Sequence, residues 1–194
     1  MVKYTWQRWG DVLRVISGTK KGYKLKGPKG KDTRPTEDRV KESLFNILGY
    51  INEESVVLDL FAGSGSIGIE FLSRGAKEVY FIDKSYLSIK TIKENLAHTN
   101  LEGRAKVIKN DAIRSIKLLG NQQIKFNYIF VDPPYGQGLI IKVIENLWSQ
   151  GILAKEGIIV IEHEKELELK DNIYSLKRVD IRNYGDKSLS FYTN

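Results

Sequence analysis

The sequence predicts an α/β fold. It is a Rossmann-like, doubly wound, mostly parallel seven-stranded sheet with a terminal antiparallel hairpin, preceded by a small β-hairpin and helix. Three observations predict this. From Val56 onward, short apolar, β-branched runs alternate with helical patterns, as in a parallel sheet covered on both faces. The first run leads directly into a glycine turn, "DLFAGSGSIG". The C-terminal stretch changes to two alternating segments around "NYGD", a hairpin signal.

The elements follow in order. "LRVISGTKKGYKLKG" reads as a β-hairpin turning at Gly18 and Gly22, and "GPKGKDTRP" as a loop. A helix is expected from Thr36 as N-cap, with Glu37 and Asp38 favouring its dipole. Its apolar face is Val40, Leu44, Ile47 and Leu48, and Gly49 stands near its end. Strand "VVLDLF" precedes the glycine turn and a helix running through Arg74, stopped by Gly75. Strand "EVYFID" leads to a helix near Tyr86–Asn95, and strand "AKVIKND" to a short helix from Ala112. Strand "YIFVDPPY" leads to a helix near Leu139–Gln150, and strand "GIIVIEH" precedes the final hairpin. Residues 1–50 thus read as an extension and 51–194 as the main domain.

Composition bounds the function. With 194 residues, 41% hydrophobic and 28% charged, the chain reads as an ordinary soluble globular protein. No apolar run approaches the ~20 residues of a membrane span, and "MVKYTWQRWGDVLR" lacks a signal-peptide core. There is no cysteine, which excludes disulfides, thiol catalysis and Cys-based zinc sites. Two histidines, His98 and His163, argue against a multi-His metal site, so no metal is expected. His98 reads as part of a solvated loop, and His163 and Tyr184 as structural. These absences point to the cytoplasm.

The net charge is +7, and residues 1–31 hold nine Lys or Arg against the single acid Asp11. The remainder is nearly neutral. Such asymmetry suits contact with a phosphate backbone, with Arg14, Lys20, Lys21 and Lys24 as candidates. It equally suits a solvated, lysine-rich hairpin. Arg34 and Arg39, near the first helix, read as RNA contacts or as groups closing over a cofactor; alternatively Arg39 pairs with Glu42 on the helix surface.

The glycine turn satisfies a dinucleotide-binding pattern, yet carboxylates surround its crevice. Asp59 lies near the end of the first strand, while Asp83, Asp111 and Asp132 close the next three. Ligands bind such sheets outside the strands' carboxyl ends. Two unit charges ~4 Å apart repel by about 4 kcal/mol at an effective dielectric near 20, so a pyrophosphate is disfavoured. S-adenosylmethionine fits instead: it is cationic, rich in hydroxyls and amines, and carries no phosphate. Asp59 can anchor its methionine side, Asp83 its ribose and Asp111 its adenine amine. Gly63, Gly65 and Gly68 admit close backbone approach, and the helix after Ser66 presents its N-terminus to the carboxylate. The plainer readings are a turn that only allows tight packing and acids that only cap helices.

"DPPY", Asp132, Pro133, Pro134 and Tyr135, is the sharpest local feature. Two prolines fix a rigid loop at the crevice. A planar base can stack on Tyr135, its exocyclic amine reaching Asp132 and a prolyl carbonyl. Two acceptors on those N–H groups favour a pyramidal nitrogen and free its lone pair for attack on the methyl. The released proton goes to Asp132 or to water. A base held in a duplex would first leave its stack. The plainer reading is a stiff turn with a packed tyrosine.

"TRPTEDRVKESLFNIL", "DLFAGSG", "FIDKS" and "IFVDPPY" together resemble the RsmD family of 16S rRNA guanine-N2 methyltransferases, over nearly all of the chain. The resemblance implies a class I fold and methyl transfer from S-adenosylmethionine to the N2 amine of a guanine in small-subunit ribosomal RNA, within an assembling particle. It implies cofactor contacts from Asp59, Phe61, Ala62, Gly63, Ser64, Gly65, Gly68, Asp83, Lys84, Asp111 and Ala112, and target-base contacts from Asp132 through Tyr135. Competing readings are methylation of adenine N6 or another base amine, an NAD-type oxidoreductase, and a non-catalytic RNA-binding protein. Residues 1–12, with Trp6 and Trp9, precede the usual start of the family.

Overall fold

The computed structural model describes residues 13–27, 38–134 and 138–194. Five helices are described: α1 (Asp38–Leu48), α2 (Ser66–Ser73), α3 (Tyr86–Thr99), α4 (Ala112–Asn121) and α5 (Leu139–Ser149). The strands are β1 (Val56–Leu60), β2 (Glu78–Asp83), β3 (Ala105–Lys109), β4 (Phe126–Val131), β5 (Leu153–Glu164), β6 (Asn172–Ile173), β7 (Leu176–Tyr184) and β8 (Lys187–Thr193). They form one sheet in the order β3-β2-β1-β4-β5-β8-β7-β6. Strands β1 to β5 are parallel, and β8, β7 and β6 add antiparallel edges. This is the expected doubly wound sheet with its C-terminal hairpin. The eighth strand is β6, whose two residues are too few to show a period of two.

The chain moves outward from β1 to β2 and β3, then returns to place β4 on the other side of β1. That reversal opens a crevice at the carboxyl ends of β1 and β4. The sheet buries both faces. One carries Val57, Phe81, Phe130 and Val160 under α1, α2 and α3. The other carries Leu58, Ile129, Val131 and Ile161 under α4 and α5. Strands buried on both sides read as continuous apolar runs, which is why "VVLDL" and "YIFV" were legible. In the first cluster Phe71 packs edge-on to Phe45, ring centroids 4.7 Å apart, and lies 5.2 Å from Tyr128.

The N-terminal hairpin is reduced to a single bridge, Arg14 to Lys24. Backbone bonds from Val15 N to Tyr23 O (2.9 Å) and Leu25 N to Leu13 O (2.7 Å) hold its arms. Its tip, Gly18–Lys20, is one turn of 3-10 helix pressed against the end of α2. A Cβ on Gly18 would lie 2.0 Å from the Ser73 carbonyl oxygen, so only glycine fits. Ser73 Oγ donates to Ser17 O and accepts from Lys20 N. Leu13, Val15 and Leu25 belong to the same apolar cluster as the sheet.

Helix α1 buries Val40, Leu44 and Leu48 as its pattern predicts, together with Phe45 and Lys41. Lys41 is fully buried and donates from Nζ to the Arg14 carbonyl. The proposed cap Thr36 and Glu37 lie outside the described residues. Helix α3 runs four residues past the expected Asn95. His98 therefore stands on the last turn of α3, beside Tyr23 at 5.5 Å, and not in a loop.

Candidate active site

Residues between β1 and α2 form a tight turn built on left-handed backbone. Phe61 (φ 63°), Gly63 (φ 54°) and Gly65 (φ 77°) all have positive φ. Phe61 is not a glycine, so its conformation is strained and marks a site held in place by its surroundings. Ala62 N donates to Ile82 O (2.9 Å), and Gly65 N to Ala62 O (2.6 Å). At Gly68 a Cβ would lie 2.2 Å from Phe81 Cε1, which brings α2 directly against β2.

Two carboxylates hold this turn from inside. Asp59 is buried and accepts from Gly68 N at 3.0 Å. Burial pushes its carboxyl up to about 7, against the Gly68 hydrogen bond and with a smaller push from Asp83. Asp83, part-buried at the end of β2, accepts from Gly63 N (2.9 Å) and Ser85 N (2.7 Å). Each of its oxygens keeps a second lone pair available to a ligand hydroxyl. Asp111 is exposed and caps α4 by accepting from Arg114 N (3.1 Å), with Ala112 buried behind it. Lys84 is exposed, and Ser64 is buried.

Across the crevice, the register sets a row. Leu60 pairs with Val131, and Val131 with Ile161. The next positions, Phe61, Asp132 and Glu162, therefore stand side by side at the strand ends. Asp132 is partly buried, Pro133 buried and Pro134 exposed. Tyr135 lies outside the described residues. The Asp132 carboxyl is pushed well above the usual carboxylate range, first by burial and then by Glu162, while Lys187 opposes the rise.

Sequence reasoning missed three residues here. Asn95 of α3 donates from Nδ2 to both Ser64 O and Lys26 O, each at 2.9 Å, and accepts from Lys26 N at 2.8 Å. Glu70 of α2 is fully buried and accepts from Ile16 N (2.8 Å), Ser17 N (2.9 Å) and Arg74 Nε (2.9 Å). Glu162 is fully buried and paired with Lys187. A polar residue in an apolar period was the available signal for Glu70 and Glu162. Asn95 gave none.

Of the basic candidates, Arg14, Lys21, Lys24 and Arg39 are exposed and Lys20 is half-buried. Arg14 pairs with Asp38 at 2.8 Å, joining the hairpin to α1. Arg34 lies outside the described residues. Arg14, Lys21 and Arg74, with Glu42 and Asn46, line a cleft of about 410 Å³ between hairpin and α1. His163 is structural: Nδ1–H donates to Glu164 O (2.8 Å) and Nε2 accepts from Ser190 Oγ (2.9 Å), while burial lowers its proton affinity. The Tyr184 hydroxyl bonds Ser43 of α1.

The arrangement can take a phosphate-free, cationic ligand over the glycine turn and present a partly buried carboxylate and a rigid prolyl loop to a second molecule. The family described as Conserved hypothetical protein 95 matches residues 13–193. YlbH of Bacillus subtilis is 40% identical over 180 residues, covering 93% of this chain and 98% of that one. Ribosomal RNA small subunit methyltransferase D of Escherichia coli K12 is 38% identical over 154 residues, covering 79% and 76%. The solved structure of yhhF from Escherichia coli superposes with a TM-score of 0.80 at 34% identity, covering 93% and 97%.

Proposed function

The chain belongs to the Conserved hypothetical protein 95 family, and on that premise we propose that it methylates the exocyclic N2 amine of a guanine in small-subunit ribosomal RNA. S-adenosylmethionine supplies an electrophilic methyl on a sulfonium that needs no further activation. The observation carrying this reading is the acid-rimmed crevice at the β1/β4 reversal, with Asp132 and two prolines beside the glycine turn. The chemistry of the lining fits that cofactor. Asp59 and Asp83 hold the turn by its amides, the Asp83 carboxylate favours a cation, and positive φ at Gly63 and Gly65 leaves backbone accessible to a ligand.

In this reading Phe61, Ala62, Gly63, Ser64, Gly65 and Gly68 form the floor of the cofactor site, and Asp59 orders it. Asp83 and Lys84 meet the ribose end, and Asp111 and Ala112 the adenine. Asp132 and the carbonyl of Pro133 or Pro134 accept the two N–H groups of the guanine amine. That contact turns the nitrogen lone pair out of the ring plane and toward the methyl, in line with the bond that breaks. Tyr135 stacks on the base. Most of the rate enhancement then comes from orientation and fixed dipoles.

Residues 1–50 carry the RNA-contacting extension and 51–194 the transfer chemistry. Arg14, Lys20, Lys21, Lys24, Arg34 and Arg39 meet backbone phosphate. The substrate is an assembling small subunit in the cytoplasm. Among the described residues no helix is long and apolar enough to cross a membrane.

Methyl transfer from labelled S-adenosylmethionine to small-subunit particles, free RNA and DNA tests the proposal, with mass spectrometry of the modified nucleoside. N2-methylguanine in ribosomal RNA is expected. N6-methyladenine, or NAD binding without affinity for S-adenosylmethionine, would overturn it. Asp132→Ala is expected to lower transfer by at least 100-fold while cofactor affinity, measured by calorimetry, stays within a few-fold.

A further inference from the structure

Glu162 is fully buried in β5. One oxygen, Oε1, meets Lys187 Nζ. The other, Oε2, is buried and has no hydrogen-bond partner among the described residues. The pairing is diagonal: Glu162 stands opposite Leu189, two residues from Lys187 on β8. A buried ion pair with one oxygen left over is a poor stabiliser, and apolar residues of similar volume would serve the fold as well or better. The location supplies a reason for it. Val131 pairs with Ile161, so Glu162 stands at the position beside Asp132, at the mouth of the crevice.

The charged groups acting on Asp132 come from three strands: Glu162 of β5, Lys187 of β8 and Asp59 of β1. Glu162 is first among them, and it raises the affinity of Asp132 for a proton. Lys187 moderates the rise.

We propose that Glu162 is a positioning residue for methyl transfer: its buried carboxylate, tied to Lys187 and standing at the strand position beside Asp132, readies Asp132 to take the proton that the methylated amine releases. The inference rests on the methyltransferase reading above. In the step concerned, the amine lone pair forms the new N–CH3 bond, and the S–CH3 bond breaks with its electron pair left on sulfur. An N–H bond of the resulting cation then breaks, its electrons returning to nitrogen, and the proton binds the Asp132 carboxylate. Glu162 touches none of the reacting atoms. It gives the proton an acceptor within the site, in place of bulk water.

The test is the pH profile of single-turnover transfer by the full chain. Glu162→Gln removes the negative charge, so Asp132 binds its proton less tightly and the acid limb of the profile moves to lower pH. The plateau falls about 10-fold or more, cofactor affinity is unchanged, and Glu162→Asp restores most of the wild-type profile. A lower plateau with the acid limb unmoved would reduce Glu162 to a packing residue and overturn the inference. Should Glu162→Gln fail to fold, carboxyl 13C titration of the unaltered protein decides. The Asp132 resonance must titrate above the usual carboxylate range, and titration at the ordinary carboxylate value overturns the inference. Absence of transfer by the wild-type chain would instead strike the methyltransferase reading itself.

Discussion

A Cβ added to Gly68 would meet Phe81 Cε1 at 2.2 Å and Val79 Cγ1 at 2.9 Å, and the Gly68 amide is the one that Asp59 holds. Gly68→Ala therefore separates α2 from β2 and disturbs the turn together. It is expected to cost ~1–3 kcal/mol in denaturant unfolding and to weaken cofactor binding. Asp59 itself is held at a cost. Its carboxyl rises from 3.8 to about 7 because it is buried, so the folded state binds this proton more tightly than the unfolded one. That contribution to stability is fully present below about pH 4 and is lost as pH rises through 7. Asp59→Asn lacks it, so the wild type should lose stability relative to the variant over that range. The difference is on the order of 4 kcal/mol at most, and unfolding at pH 4 and pH 8 measures most of it. At this scale the glycines, Asp59 and Asp83 were legible because glycines needing positive φ and an acid at a strand end are local signatures. What Asp59 does was not legible: its partner, Gly68, is fixed by how the chain turns back. Asp111 is visibly a helix cap, as the plainer reading had it, and its contact with adenine belongs to the proposal.

Among the elements, the hairpin depends on α2 more than on itself. With one bridge of its own, it is held by Glu70, whose carboxylate accepts from Ile16 N and Ser17 N. Glu70→Ala strands both amides and the Arg74 guanidinium. We expect a loss of at least about 3 kcal/mol, at ~1–3 kcal/mol for each of the three partly buried groups left unpaired, and faster hydrogen exchange at Ile16 and Ser17, with the sheet core unaffected. Helix boundaries were legible where glycine marks them, as at Gly49 and Gly75. The α3 end was misplaced because Asn95 looks like a terminus. In the fold its side chain turns inward to Ser64 and Lys26, and the helix continues to Asn100, whose φ of 53° ends it. No local pattern distinguishes an asparagine that stops a helix from one that ties its side to two loops.

For the whole molecule, charge and topology divide the work. Of the basic N-terminal segment, residues 13–27 sit on the α2 face of the sheet, and the acid-rimmed crevice opens at the strand ends. Replacing Lys20, Lys21 and Lys24 by Gln is expected to flatten the plot of log affinity for RNA against log salt by about 2, at ~0.7 for each phosphate no longer neutralised, while S-adenosylmethionine affinity holds. Salt titration of RNA binding reads the first, and calorimetry the second. The parallel core was legible from alternating apolar runs. The two-residue β6 edge was not, since pairing that brief is decided by what lies beside it.

One side chain joins these two territories. Asn95 grips Lys26, just past the basic hairpin, and Ser64, within the glycine turn, through a single amide. Under the proposed function, an RNA that draws the hairpin outward would strain the same nitrogen that steadies the methyl donor's seat. Thermodynamic reciprocity then runs both ways: whatever loading one substrate does to the grip on the other, the second must return in equal measure.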